Sequence, residues 1–196
     1  NHQPSTYKHN IEKYMAITKA FTQAIDNRSF QEWHQGIKRY GFWAILIDSP
    51  AWKDEFSRAQ AHVADLVHPN YRRTPHITLS ACGLVSERYF SEAQLSKQIA
   101  SIKSLDLPSF DLELTEINSF DTAPYLAIKQ HPLLNIIRTG LEATISDSPA
   151  PEYCPHLTLG FYQNAYHRKS VGRQLKQFRN STIPPLRVNS ISYCTY

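Results

Sequence analysis

The chain has 196 residues, 41% of them hydrophobic, with 21 Lys and Arg against 17 Asp and Glu for a net charge of +4. That composition suffices for one packed domain or two fused half-domains, and it excludes an intrinsically disordered chain. The small positive excess suits a phosphate-bearing partner but excludes a protein that grips duplex nucleic acid by charge alone. No apolar run approaches the ~20 residues of a membrane span, and Asn1 to Asn10 is polar without a signal-peptide pattern. The expectation is a soluble, cytoplasmic monomer. Cys82, Cys154 and Cys194 are odd in number and lack a C-x-x-C spacing, so they read as small core or strand residues in a reducing compartment.

In chain order, Ile11, Tyr14, Met15, Thr18, Phe21 and Ile25 fall at helical spacing and predict an amphipathic helix over 11–26. Ser29-Phe30-Gln31-Glu32 matches a capping box opening a short helix with Trp33 and Ile37, closed by Gly41. Residues 1–41 thus read as a helical extension and 42–196 as the main domain. Phe42 to Ile47 is a near-continuous apolar run, the mark of a buried central strand. Ser49-Pro50 then starts a helix whose core stripe is Trp52, Phe56, Ala59, Val63 and Leu66.

Pro69-Asn70 breaks that helix, and Tyr71-Arg72-Arg73 leads into a strand at His76. Ser91 with Gln94 repeats the capping-box signal before a helix through Leu95, Ile99 and Ile102. Two strand-like runs follow, 110–120 and 125–130, joined by a turn at Asp121-Thr122-Ala123-Pro124. Apolar residues at 133, 134, 137, 141 and 145 predict a helix, and Pro149-Ala150-Pro151 is a stiff connector to a second strand at His156. A helix around Arg168 to Arg179 and a strand from Leu186 to Tyr193 complete the chain.

One segment occurs twice: Pro75-His76-Ile77-Thr78-Leu79 and Pro155-His156-Leu157-Thr158-Leu159. Residues i and i+2 of a strand share a face, so each copy sets an imidazole beside a hydroxyl and turns its aliphatic residues to the core. A structural strand has no need of two such pairs in matching phase. Imidazole titrates near neutrality, so one ring can accept a proton while the other donates one. Each copy also follows a helix in the same strand–helix–strand–helix–strand order. That repetition predicts an α+β fold of two quasi-equivalent lobes, with central mixed or antiparallel sheets, helices outside and one shared cleft.

The extended segments, Pro75-His76-Ile77-Thr78-Leu79-Ser80 and Pro155-His156-Leu157-Thr158-Leu159-Gly160, resemble the paired H-x-T-x signatures of the 2H phosphoesterase superfamily, which includes RNA 2′,5′-ligase-like proteins and cyclic phosphodiesterases. The resemblance spans about residues 42–193. It implies that His76 and His156 are the catalytic acid/base pair and that Thr78 and Thr158 bind non-bridging phosphate oxygens. It implies a metal-independent phosphodiesterase without cofactor, acting on a 2′,3′-cyclic phosphate, a 2′,5′ linkage, an RNA 3′ end or a cyclic oligonucleotide. Which His is base and which is acid stays open at this level.

Three more residues are candidate substrate contacts. Arg73 (with Arg72) stands just before the first motif, Ser80 continues the phase of His76 and Thr78, and Tyr162 continues that of His156 and Thr158. Tyr71, Tyr153 and Tyr193 are further aromatics for base stacking or packing. The other histidines, such as His62, His68 and His131, read as surface residues. Two alternatives remain at this point: a nucleotide- or RNA-binding module that keeps the cleft without turnover, and a metalloprotein using both motif histidines. The second lacks the third protein ligand that catalytic zinc sites take.

Overall fold

The computed structural model describes residues 20–26, 36–71, 73–145 and 152–196. Expectations for 11–19, for the capping box at 29–32, for Arg72 and for the connector at 149–151 lie outside the described residues. Strand β1 (Tyr40–Leu46) precedes helix α1 (Pro50–His62), strand β2 (His76–Leu84) and helix α2 (Glu92–Ser104). Strands β3 (Phe110–Leu112), β4 (Leu114–Ser119) and β5 (Pro124–Ile128) lead to helix α3 (Pro132–Glu142) and strand β6 (His156–Thr158). Helix α4 (Arg168–Leu175) is followed by strands β7 (Leu186–Val188) and β8 (Ser192–Thr195). The class is α+β, as expected.

Three antiparallel sheets organise these elements: β2-β1-β8, β3-β7 and β4-β5-β6. Strand β1 is central in the first and β5 in the third, each with a motif strand on one edge. The apolar stripe of α1 packs under β1, so Trp52, Phe56, Ala59 and the following Val63 and Leu66 join Trp43, Ile45 and Ile47 in one core. Burying each large apolar side chain there stabilises the fold by about 1.5–3 kcal/mol. Helix α2 carries the full capping box between Ser91 and Gln94 that its sequence predicts.

The two halves repeat at the level of backbone pairing. In the first, His76 pairs with Leu46 and Thr78 with Ala44; in the second, His156 pairs with Ala127 and Thr158 with Tyr125. The proline before each His accepts an equivalent bond, from the Ile47 N–H at Pro75 (3.2 Å) and the Ile128 N–H at Pro155 (2.9 Å). Proline donates nothing to a ladder, so it sits where only its carbonyl is needed, at the strand's start.

Several expected boundaries move. Residues 21–26 run extended instead of helical, because the body takes their backbone: Thr22 donates to Tyr166, Gln23 to Asp121 and Ile25 to Tyr162. Gly41 does not end a helix but lies inside β1, where the Tyr193 ring fills the space a Cβ would need. The run 110–120 divides at Glu113, β3 pairing with β7 and β4 with β5, and the β4 register shifts again between Leu114 and Ile117. The closing run divides likewise, β8 crossing back to β1. The last predicted helix stops at Leu175, where tighter turns bring Phe178 back onto the core. No described helix is long and apolar enough to cross a membrane.

Candidate active site

Each proline restricts the residue before it to an extended conformation, which directs the carbonyls of Thr74 and Cys154 back toward the motif imidazoles. His76 Nδ1 lies 2.7 Å from Thr74 O, and His156 Nδ1 lies 2.6 Å from Cys154 O. A carbonyl only accepts, so Nδ1 must carry the hydrogen in both rings. Both histidines therefore keep Nε2 for other chemistry, as an acceptor when neutral and a donor when protonated.

Aromatic neighbours fix both ring planes. Phe42 packs against His76 at 5.3 Å between centroids, while Phe120 and Tyr125 wedge edge-on against His156 at 4.8 and 5.3 Å. Burial in that wedge pushes the His156 pKa below the ordinary imidazole range, outweighing the opposing pull of the Cys154 carbonyl, with the charge of His76 a smaller push in the same direction as burial. Thr78 and Thr158 stand two residues on, both half-buried, and neither hydroxyl is engaged by another group among the described residues.

The lobes are tied beneath the first motif. Three consecutive β2 residues are held from the second half: Thr78 O accepts from the Tyr153 hydroxyl (2.9 Å), Leu79 O accepts from Arg138 Nε (2.9 Å), and Ser80 Oγ donates to Glu142 Oε1 (2.7 Å). Arg138 lies over the Tyr153 ring, 4.3 Å from its centroid, and is one helical turn before Glu142 on α3. This latch sets the spacing of β2 from the segment that delivers His156.

A cavity of about 410 Å³ opens beside His76 and Thr78, lined also by Arg73, Thr74, residues of β1 including Tyr40 and Phe42, the end of β8, and Tyr196 just beyond it. His156 and Thr158 are not part of its lining. Arg73 is thus brought to the motif, its guanidinium carbon lying 5.0, 5.7 and 5.8 Å from the ring centroids of Tyr196, Phe161 and Tyr71.

The other expected contacts are corrected. Ser80 is buried and committed to Glu142, because a bulge in the β1 pairing turns it from the cleft face. Tyr162 is wholly buried with its hydroxyl 2.6 Å from that of Ser119, since β6 ends at Thr158 and the alternation does not continue. His62, His68 and His131 are half-buried connectors, not surface residues. The first two donate from Nε2 to Gln174 O and Ile25 O, and His131 caps α3 while stacking on Phe110. The three cysteines are free, and burial pushes the Cys82 thiol up to about 12. Among the described residues no cluster of three or more His, Cys, Asp or Glu could hold a metal ion.

Sequence reasoning missed Tyr40, Phe42 and Tyr196 as cleft residues. The run 42–47 reads as uniformly apolar, which hides that β1 has a core face and a cleft face. Its pairing with the motif supplies the phase: Leu46 opposite His76 puts residues 40 and 42 on the cleft side as well.

The sequence pattern of the 2′-5′ RNA ligase superfamily matches residues 47–193. The chain belongs to this superfamily. It is thereby a 2H phosphoesterase by family. No curated protein matches the sequence. Among solved structures, Kluyveromyces marxianus Usb1 with uridine monophosphate is similar at 14% identity, covering 80% of this chain and 96% of that one, with a TM-score of 0.51. Escherichia coli LigT complexed with 3′-AMP is similar at 18% identity, covering 79% of this chain and 82% of that one, with a TM-score of 0.50. Both share the superfamily's fold, and the family match takes in both motifs.

Proposed function

We propose that the protein is a metal-independent phosphodiesterase acting on a nucleotide or RNA phosphodiester through His76 and His156. The observation that carries this reading is the pair of equivalent Nδ1-to-carbonyl bonds, which present Nε2 of both rings in the same protonation chemistry. His156, held toward its neutral form, takes the role of base. Its Nε2 accepts a proton from water or a ribose 2′-hydroxyl as that oxygen attacks phosphorus. The bond from phosphorus to the departing oxygen breaks, and the Nε2–H of protonated His76 supplies that oxygen's proton. In the reverse direction the roles exchange. The Thr78 and Thr158 hydroxyls donate to the non-bridging oxygens and stabilise their developing charge.

The superfamily's nucleotide-bound members support the substrate class: the Usb1 structure holds uridine monophosphate and the LigT structure 3′-AMP. Residues 1–39 are taken as an extension added to the catalytic body; the boundary expected at 41 moves because β1 already begins at Tyr40. The test is a panel in EDTA of 2′,3′-cyclic mononucleotides, 2′,5′- and 3′,5′-linked oligomers and cyclic dinucleotides. Turnover of one of these classes is expected. Tight binding across the panel without product would overturn the enzymatic reading in favour of a binding module, and turnover only on metal addition would overturn metal independence.

A further inference from the structure

The turn between β4 and β5 carries Phe120, whose ring meets His156 edge-on at 4.8 Å and stacks on Tyr125 at 4.1 Å. The next residue, Asp121, is held from two directions. Its carbonyl accepts from the Gln23 N–H at 2.7 Å, and its carboxylate accepts from Arg168 Nη2 at 2.6 Å. Arg168, the first residue of α4, also donates Nε–H to the Phe21 carbonyl at 3.0 Å. One guanidinium thus ties segment 21–25 to the turn. The segment is fastened on both sides of that clamp. Thr22 is buried and exchanges two bonds of 2.8 Å with the Tyr166 backbone, and Ile25 donates to the Tyr162 carbonyl at 3.0 Å. The family pattern begins at residue 47, so segment 21–25 lies outside it.

We infer that segment 21–25 is a working part of the active site: it fixes the β4–β5 turn, so that Phe120 holds the His156 ring in the orientation the reaction needs. The inference rests on the proposed acid/base reading and adds to it the element that positions His156. The two motif imidazoles differ in how their aromatic supports are held. Phe42, which packs on His76, lies inside β1 with a strand partner on each side, Ala81 and Cys194. Phe120 lies one residue beyond the end of β4 and has no such ladder, so its place depends on the turn. A terminal segment docked only for stability could lie against any exposed backbone. Here its Gln23 bond goes to the residue after Phe120, and the cation that clamps it is the one that pairs with that same residue.

The test uses three full-length variants. Gln23→Pro deletes the N–H that reaches Asp121, Arg168→Met removes the clamp, and Asp121→Ala removes its anchor. The first changes no charge, and the other two change it in opposite senses. The titratable groups that bear on His156 are Tyr125 on β5, Cys154 in its own segment and His76 on β2, and none of them is altered. His156 is followed by NMR titration of its imidazole and, on the best substrate of the panel, by kcat and KM. All three variants should raise the His156 midpoint toward the ordinary value of about 6.5 as the ring loses its packing. They should also lower kcat about five- to ten-fold with KM within about two-fold, short of the roughly 10²-fold that a 1 Å misplacement costs. Arg168→Lys should recover part of the loss, and in a Phe120→Leu background Gln23→Pro should have no further effect. An unchanged midpoint in Gln23→Pro would overturn the inference. So would a rise in Arg168→Met paired with a fall in Asp121→Ala, the mark of charge acting alone, or full additivity with Phe120→Leu. Failure of the catalytic reading looks different: no phosphodiester would be turned over, yet the three midpoints would still rise.

Discussion

Replacing Arg138 by Met removes the centre of the latch beneath the first motif while keeping an unbranched stem. Arg138 is 9% exposed, donates Nε–H to Leu79 O at 2.9 Å and lies 4.3 Å from the Tyr153 ring centroid. A hydrogen bond from a charged group is worth about 1.5–3 kcal/mol, and a partly desolvated cation–π contact about 1–2 kcal/mol. Met recovers some of the packing, so the net loss is about 3 kcal/mol. For a chain of this length each kcal/mol moves Tm by about 2–4 °C, which predicts a fall of about 6–12 °C by calorimetry. Tyr153→Phe deletes only the bond to Thr78 O and should cost about 1 kcal/mol. Because the two side chains touch, the double variant should fall short of the sum by at least about 0.5 kcal/mol. A Tm for Arg138→Met within about 2 °C of wild type, or strict additivity, would refute the latch.

Two further outcomes follow from the site. His156 titrates below its unfolded value, so as pH drops past about 6.5 the unfolded chain binds protons that the folded one refuses. Stability present above that pH is lost as pH falls through the folded pKa; urea midpoints from about pH 8 to 5 should decline less steeply in His156→Gln than in wild type, and equal slopes would contradict the assignment. Tyr162→Phe should lose about 1 kcal/mol of stability with its bond to Ser119 and keep turnover within about two-fold, whereas a selective rise in KM would return Tyr162 to the cleft.

Much of the fold is legible in local signals. The capping box at Ser91, the Ser49-Pro50 helix start and the helical stripe from Leu133 each name an element that forms. Ser49 nevertheless makes no side-chain cap bond, and Pro50 in the first turn sets the start instead. What is not legible is pairing. Nothing between Asn189 and Ser192 says that β8 returns to β1, and that return is what brings Tyr196 to the cavity. Strand phase also fails to extrapolate past a strand's end or a bulge, which is why Tyr162 and Ser80 lie in the interior rather than beside the motif histidines. The histidine–threonine pairs are legible because their geometry is local: a proline, a carbonyl two residues back and the strand period are enough to fix the tautomer and the face. The latch through Arg138 and Glu142 is not, since it joins positions about sixty residues apart whose contact depends on the packed lobes.

The central claim is that His76 and His156 perform the two proton transfers of one reaction. The most direct measurement is the single-turnover rate, in EDTA, of His76→Ala and His156→Ala on the best substrate of the panel, with substrate binding measured alongside. Losing a general acid or base costs about 10²–10⁴-fold in rate, so both variants should fall by that order while still binding substrate. A wild-type rate in either variant would contradict the account.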